Sequence, residues 1–79
     1  MTSEDLKALV ARRIVECRDA RGWSSSELAR RMGKAPGNIG DYEHGRRSPG
    51  LDVIAKLAAV FGVKPATLLT ERKKSSKSA

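Results

Sequence analysis

The sequence predicts an all-α fold, a compact bundle of five short helices. Three observations carry this. Apolar residues recur at spacings of three and four in two long segments, and no segment alternates apolar and polar residues with the period of a half-buried strand. Gly, Pro and Ser also interrupt the chain at short intervals. Of the 79 residues, 39% are apolar, which is material for a single core. Residues 1–71 are expected to form that domain. Residues 72–79, "RKKSSKSA", are a basic tail whose Ser and Lys content predicts disorder.

Each helix follows from its own chemistry. Between residues 4 and 20, Leu6, Val10, Ile14 and Cys17 share one face with Leu9 beside them, while Arg12, Glu16 and Asp19 point away. Gly22 ends this first helix. Ser24, followed three residues later by Glu27, predicts a capping box, with Trp23 stapled onto Leu28. The second helix then covers Ser25 to Met32 and stops at Gly33.

The third helix starts near Ala35 in "KAPGNIGDYEHGRR", a stretch with an unusual content of helix breakers. Pro36 suits the first helical position, where its missing N–H is no loss, although Ala35 is a poor N-cap. Gly37 and Gly40 are a different matter, because each costs about 0.8 to 1.0 kcal/mol relative to Ala inside a helix. Being three apart they share a face, and it cannot be the face of Ile39, the one clearly apolar residue of this helix. Tyr42 lies one turn on from Ile39, either packed in the core or with its hydroxyl free to reach a phosphate. The bare face is flanked by Asn38 and Asp41 and bracketed by Lys34, Arg46 and Arg47. A helix bare on one side lets its backbone approach something flat or charged.

Pro49 and Gly50 lead into a fourth helix, in which Leu51, Ile54, Leu57, Ala58 and Phe61 form an apolar stripe up to Gly62. Pro65 opens a short last helix, "PATLLT", with Leu68 and Leu69 returning to the core.

Composition narrows the function. Sixteen Lys plus Arg against nine Asp plus Glu give a formal charge of +7, which suits a polyanionic partner. Four of the basic residues lie in the tail, leaving twelve against nine, or +3, for residues 1–71. One cysteine, Cys17, and one histidine, His44, are too few for a disulfide framework or a four-ligand zinc site. Cys17 falls on an apolar stripe and His44 on a polar helix end, so neither a metal, a cofactor nor an enzymatic role is expected. The first residues lack the pattern of a signal peptide, and no apolar run approaches the roughly 18 residues of a membrane span. A soluble cytoplasmic location, associated with the nucleoid and not with a membrane, is the expectation.

The second and third helices, joined by a three- to four-residue turn at Gly33, have the pattern of a helix-turn-helix. From about Val10 to Leu69 the chain resembles the lambda-repressor-like family of phage repressors, Cro proteins and their bacterial relatives, the Xre class. The resemblance runs through "RDARGWSSSELARRMG", "NIGDYEHGRRSPGLDVIAKLAAVFGV" and "PATLL". It implies a transcriptional regulator, repressor-like, that binds double-stranded DNA as a homodimer, free or formed on the DNA, with the third helix in the major groove of a roughly palindromic operator. It implies an ion pair between Arg18 and Glu43 that locks the first helix to the end of the third. It also places Ala29 at the close contact of the two motif helices and Ile39 beneath them.

The same resemblance points to a DNA-binding set of Ser25, Lys34, Ala35, Pro36, Gly37, Asn38, Gly40, Asp41, Arg46 and Arg47. Ser25 with its helix N-terminus, Lys34, Arg46 and Arg47 would hold phosphates. Asn38, Asp41 accepting from a cytosine amino group, and Pro36 against a thymine methyl would read bases. The family's dimer surface corresponds to Val63, Pro65 and Leu68, although Leu68 also fits the core. The chain departs from the family at Ser25, Pro36, Gly37 and Asp41, where relatives often carry glutamine or other long polar side chains. That departure supports a second reading, a helix-turn-helix used to contact a regulatory protein partner, as in an anti-repressor, antitoxin or adaptor.

Overall fold

A computed structural model describes residues 2–70. The expected tail, 72–79, and the domain boundary at 71 lie outside the described residues. Four α-helices precede a closing 3₁₀ turn: α1, Ser3–Ala20; α2, Ser25–Met32; α3, Pro36–Glu43; α4, Leu51–Phe61; and Pro65–Leu69. The all-helical class holds, with the fifth helix tightened to a single 3₁₀ segment too short for a stable α-helix.

Ile14, Leu28, Met32, Ile39, Leu57 and Leu68, drawn from all five elements, have almost no exposed surface and form the centre of the core. Val10, Cys17, Ala29, Tyr42, Ile54, Ala58 and Phe61 complete it. Helix stops are set by backbone chirality. Gly33 and Gly62 adopt left-handed φ of 72° and 75°, and the N–H of the next residue returns to the helix, from Lys34 to the Ala29 carbonyl and from Val63 to the Ala58 carbonyl, both at 2.9 Å.

Several expectations require correction. Leu51 begins α4 too far out to reach the core and is 83% exposed, and Leu6 and Leu69 also stay partly in solvent, at 40% and 37%. The three line one shallow apolar cleft together with Val10, Pro49 and Ile54. Only half of the predicted capping box at Ser24 forms. The Ser24 hydroxyl accepts from the Glu27 N–H (3.1 Å), but the Glu27 carboxylate turns to Arg30 and Arg31. A complete box lies instead at the start of α1, between Thr2 and Asp5. Trp23 stacks on Phe61, with ring centroids 6.0 Å apart, and the Arg31 guanidinium lies 4.2 Å above its ring.

Arg13 is buried, unlike the arginine beside it in the sequence. Its Nε donates to the Thr67 carbonyl (3.0 Å) and its Nη1 pairs with Glu16, which fastens the closing turn to α1. Arg21 performs a similar task between helix ends, donating to the carbonyls of Cys17 and Phe61. No helix among the described residues is long and apolar enough to cross a membrane.

Candidate nucleic-acid interface

The geometry of α3 begins with its neighbours. Gly33 turns the chain, Lys34 and Ala35 are extended or turn residues, and Pro36 takes the first helical position. Ala35 supplies no side-chain cap; Pro36 has no N–H to satisfy, and the Asn38 N–H donates to the Ala35 carbonyl at 3.1 Å. On the inner side of the helix Ile39 and Tyr42 are buried, which assigns Tyr42 to the core rather than to a phosphate.

The opposite side is open. A Cβ built on Gly37 or on Gly40 would meet no atom within 4 Å, and both have ordinary helical φ. Neither glycine is therefore required by a tight turn or by close packing inside the chain. Asp41 adjoins this face and is half-buried, as is Asn38 three residues before it on the same side of the helix.

The expected lock between α1 and α3 is present. Arg18 Nε donates to Glu43 Oε2 at 2.6 Å, and Nη2 reaches Glu43 Oε1 at 3.5 Å. The Glu43 side chain is 6% exposed and that of Arg18 16%. Arg18 Nη1 also donates to the Trp23 carbonyl at 2.9 Å, which pins the segment leading into α2. Ser25 joins the same network, its hydroxyl donating to Glu43 Oε1 at 2.8 Å. That hydroxyl is thus turned inward, and what Ser25 offers outward is its backbone position in the first turn of α2.

Beyond α3 the chain reverses at Gly45, whose φ is +71°. The N–H groups of Arg46 and Arg47 then both donate to the Asp41 carbonyl, at 2.9 and 3.3 Å. This brings both guanidinium groups back to the Asp41 carboxylate, Arg46 Nε at 3.2 Å from Oδ1 and Arg47 Nε at 4.0 Å from Oδ2. The two arginines are well exposed and Asp41 less so. This clamp escaped the sequence reading; the spacing of an acid followed five and six residues later by arginines, across a glycine, is its only trace. His44 is exposed, with Nδ1 2.8 Å from the Gly40 carbonyl.

On the neighbouring helix, hydrogen bonding from Arg30, aided by the charges of Arg30 and Arg31, holds the Glu27 carboxyl below the usual glutamate range. Of the residues matched to the family's dimer surface, Pro65 is exposed and Val63 half-buried, but Leu68 is fully enclosed. Its side chain fills the space between the closing turn and the helices, so it has no surface to give a second copy.

Comparison with known proteins places this arrangement. The model of the HTH_3 helix-turn-helix family matches residues 14–68. A solved structure of a hypothetical transcription factor, NHTF from Neisseria, superposes with a TM-score of 0.85 at 32% identity, covering 98% of this chain and 88% of that one. The restriction-modification controller protein C.AhdI from Aeromonas hydrophila gives 0.75 at 32% identity, over 78% of this chain and 94% of its own. Multiprotein-bridging factor 1 of Schizosaccharomyces pombe is 36% identical over 55 residues, 70% of this chain. The chain spans 37% of the length of that curated relative. With both motif helices, the turn at Gly33 and most of the enclosing core inside the matched span, the chain belongs to the HTH_3 helix-turn-helix family.

Proposed function

We propose that the protein is a transcriptional regulator that binds double-stranded DNA and lays α3 in the major groove. The observation that carries this reading is the bare face at Gly37 and Gly40. It has no role inside the fold, yet it sits on the second helix of a helix-turn-helix, with Lys34, Arg46 and Arg47 around it. Glycine there leaves the helix free to sink toward a base-pair floor, while the cations meet the phosphates on either side. The start of α2 adds backbone N–H groups for phosphate.

Base readout falls to Asn38 and Asp41, with Pro36 and Ala35 as short neighbours at the helix start. Two copies would read half-sites about one helical turn apart, meeting near Val63 and Pro65. Such a patch is small, so the free protein is a weak dimer or a monomer that pairs on DNA. The names of the two solved relatives, a transcription factor and a controller protein, fit this role.

A second reading is favoured by one observation, the multiprotein-bridging name of the curated relative taken with the scarcity of long side chains on α3. In that case the bare face would receive a protein. Selection from a random duplex pool, followed by affinity measurements over a salt series, separates the two. The DNA reading expects an enriched, roughly palindromic site bound at two copies per duplex, with affinity falling steeply as salt rises. A pool with no enriched sequence and no salt-dependent duplex binding would refute it. Sedimentation showing one copy on the enriched site would refute the dimer alone.

A further inference from the structure

Asp41 is an odd residue to find on a helix face surrounded by cations and proposed to approach phosphates. It does not stand alone, however, because its carboxylate faces Arg46 and Arg47, the two arginines best placed to hold the DNA backbone. Their return to Asp41 is dictated by the main chain. The left-handed Gly45 reverses it, and the N–H groups of both arginines bond to the carbonyl of the very residue whose carboxylate then meets their side chains.

We propose that Asp41 acts as an internal stand-in for a DNA phosphate, competing with the duplex for Arg46 and Arg47. A carboxylate and a phosphate oxygen offer a guanidinium the same kind of acceptor. Where an arginine swings its guanidinium out to the backbone, it gives up the approach of its Nε to Asp41, 3.2 Å for Arg46 and 4.0 Å for Arg47. Binding to an arbitrary duplex is thereby weakened. At a chosen site, a base that donates to the freed carboxylate, as the cytosine amino group does, recovers what the arginines gave up. Asp41 therefore sets the ratio of specific to non-specific binding, and does so through two neighbours that themselves carry no sequence information. This inference rests on the DNA-binding reading above.

The test is a set of variants measured by fluorescence anisotropy on a labelled random-sequence duplex and on the selected site, at several salt concentrations. Asp41→Asn keeps the shape of the side chain and leaves the main-chain turn intact, and a thermal melt verifies that it folds. Exposed ion pairs are individually weak, so releasing two of them should tighten binding to the random duplex by about two- to tenfold at low salt. The salt dependence should steepen, because two arginines are freed to displace counterions. Glu4→Gln, an equal change of charge at the far end of α1, should give a smaller gain.

In an Arg46→Ala/Arg47→Ala background the Asp41→Asn gain should shrink to the size of the Glu4→Gln gain, since only the change of charge remains. The inference is overturned if Asp41→Asn and Glu4→Gln have equal effects. It is overturned equally if the full gain survives without the arginines, which would mean that Asp41 simply repels phosphate. Those results leave the DNA reading standing; an absence of duplex binding by the parent and by Asp41→Asn would refute that reading and the inference together.

Discussion

Replacing Glu43 by Ala removes a carboxylate that is nearly enclosed and leaves three donors without it, Nε and Nη2 of Arg18 and the hydroxyl of Ser25. Breaking a buried pair from one side costs about 3 to 5 kcal/mol, because the surviving charge is left in a poor medium. Arg18 is better off than that limit. It retains the Trp23 carbonyl at 2.9 Å and Asp19 at 3.3 Å, and it keeps some contact with water. A cost at or just below that range is therefore expected, about 2 to 3 kcal/mol, a large part of the stability of so small a domain. At about 4 to 8 °C per kcal/mol for a domain of this size, Tm should fall by about 8 to 24 °C.

Circular dichroism melts and urea titrations of the parent and of Glu43→Ala measure this directly. Glu43→Gln, which keeps an acceptor but not the charge, should lose roughly half as much. Replacing both partners, as Arg18→Met with Glu43→Leu, should restore most of the loss, since no charge is then stranded. A Glu43→Ala melt that overlays the parent would refute the reasoning. So would a double variant no more stable than Glu43→Ala, which would show that the loss has another origin.

Other consequences are open to the same kind of measurement. Gly37→Ala and Gly40→Ala should each raise stability by about 0.4 to 1 kcal/mol in denaturant titrations, because the space is open and φ is helical. Gly37→Leu and Gly40→Leu should keep the melting temperature but weaken binding to the selected duplex, and unchanged affinity would detach these glycines from DNA. Leu57→Ala should cost about 2 to 5 kcal/mol and Leu51→Ala less than about 0.5, although both lie on the same sequence stripe. Glu27 should titrate below the ordinary glutamate range by NMR. Because its folded-state pKa is depressed, its contribution to stability is present above the unfolded value and lost as pH falls through the folded one, a loss that Glu27→Gln should abolish.

What the sequence discloses and what it conceals divide along a physical line. Helix ends at Gly33 and Gly62 depend on the chirality of one residue, so they can be read from a few letters. The buried positions of Ile14, Ile39 and Leu57 follow from a period that any helix on a core must have. Periodicity does not say how far a core extends along a helix, which is why Leu6, Leu51 and Leu69 fall outside it. The Ser24 box shows a second kind of failure: Glu27 has a choice of partners, and two arginines one turn away outcompete one N–H. The Arg18–Glu43 lock became legible only through resemblance, because twenty-five residues separate its ends. The Asp41 clamp needed the Gly45 reversal to be seen in three dimensions.

The arginines of the scaffold carry a consequence for how the chain's basic character is to be understood. Arg13, Arg18 and Arg21 each join segments distant in sequence, using the several donors of one planar group to hold carbonyls or a carboxylate. Their positive charge is mortar between helices, and little of it reaches out to a polyanion. A count of basic residues, an isoelectric point or retention on a cation-exchange column would thus overstate the attraction this domain exerts on DNA. For the same reason lysine is no substitute at these three positions: it would preserve the charge ledger while the masonry came loose.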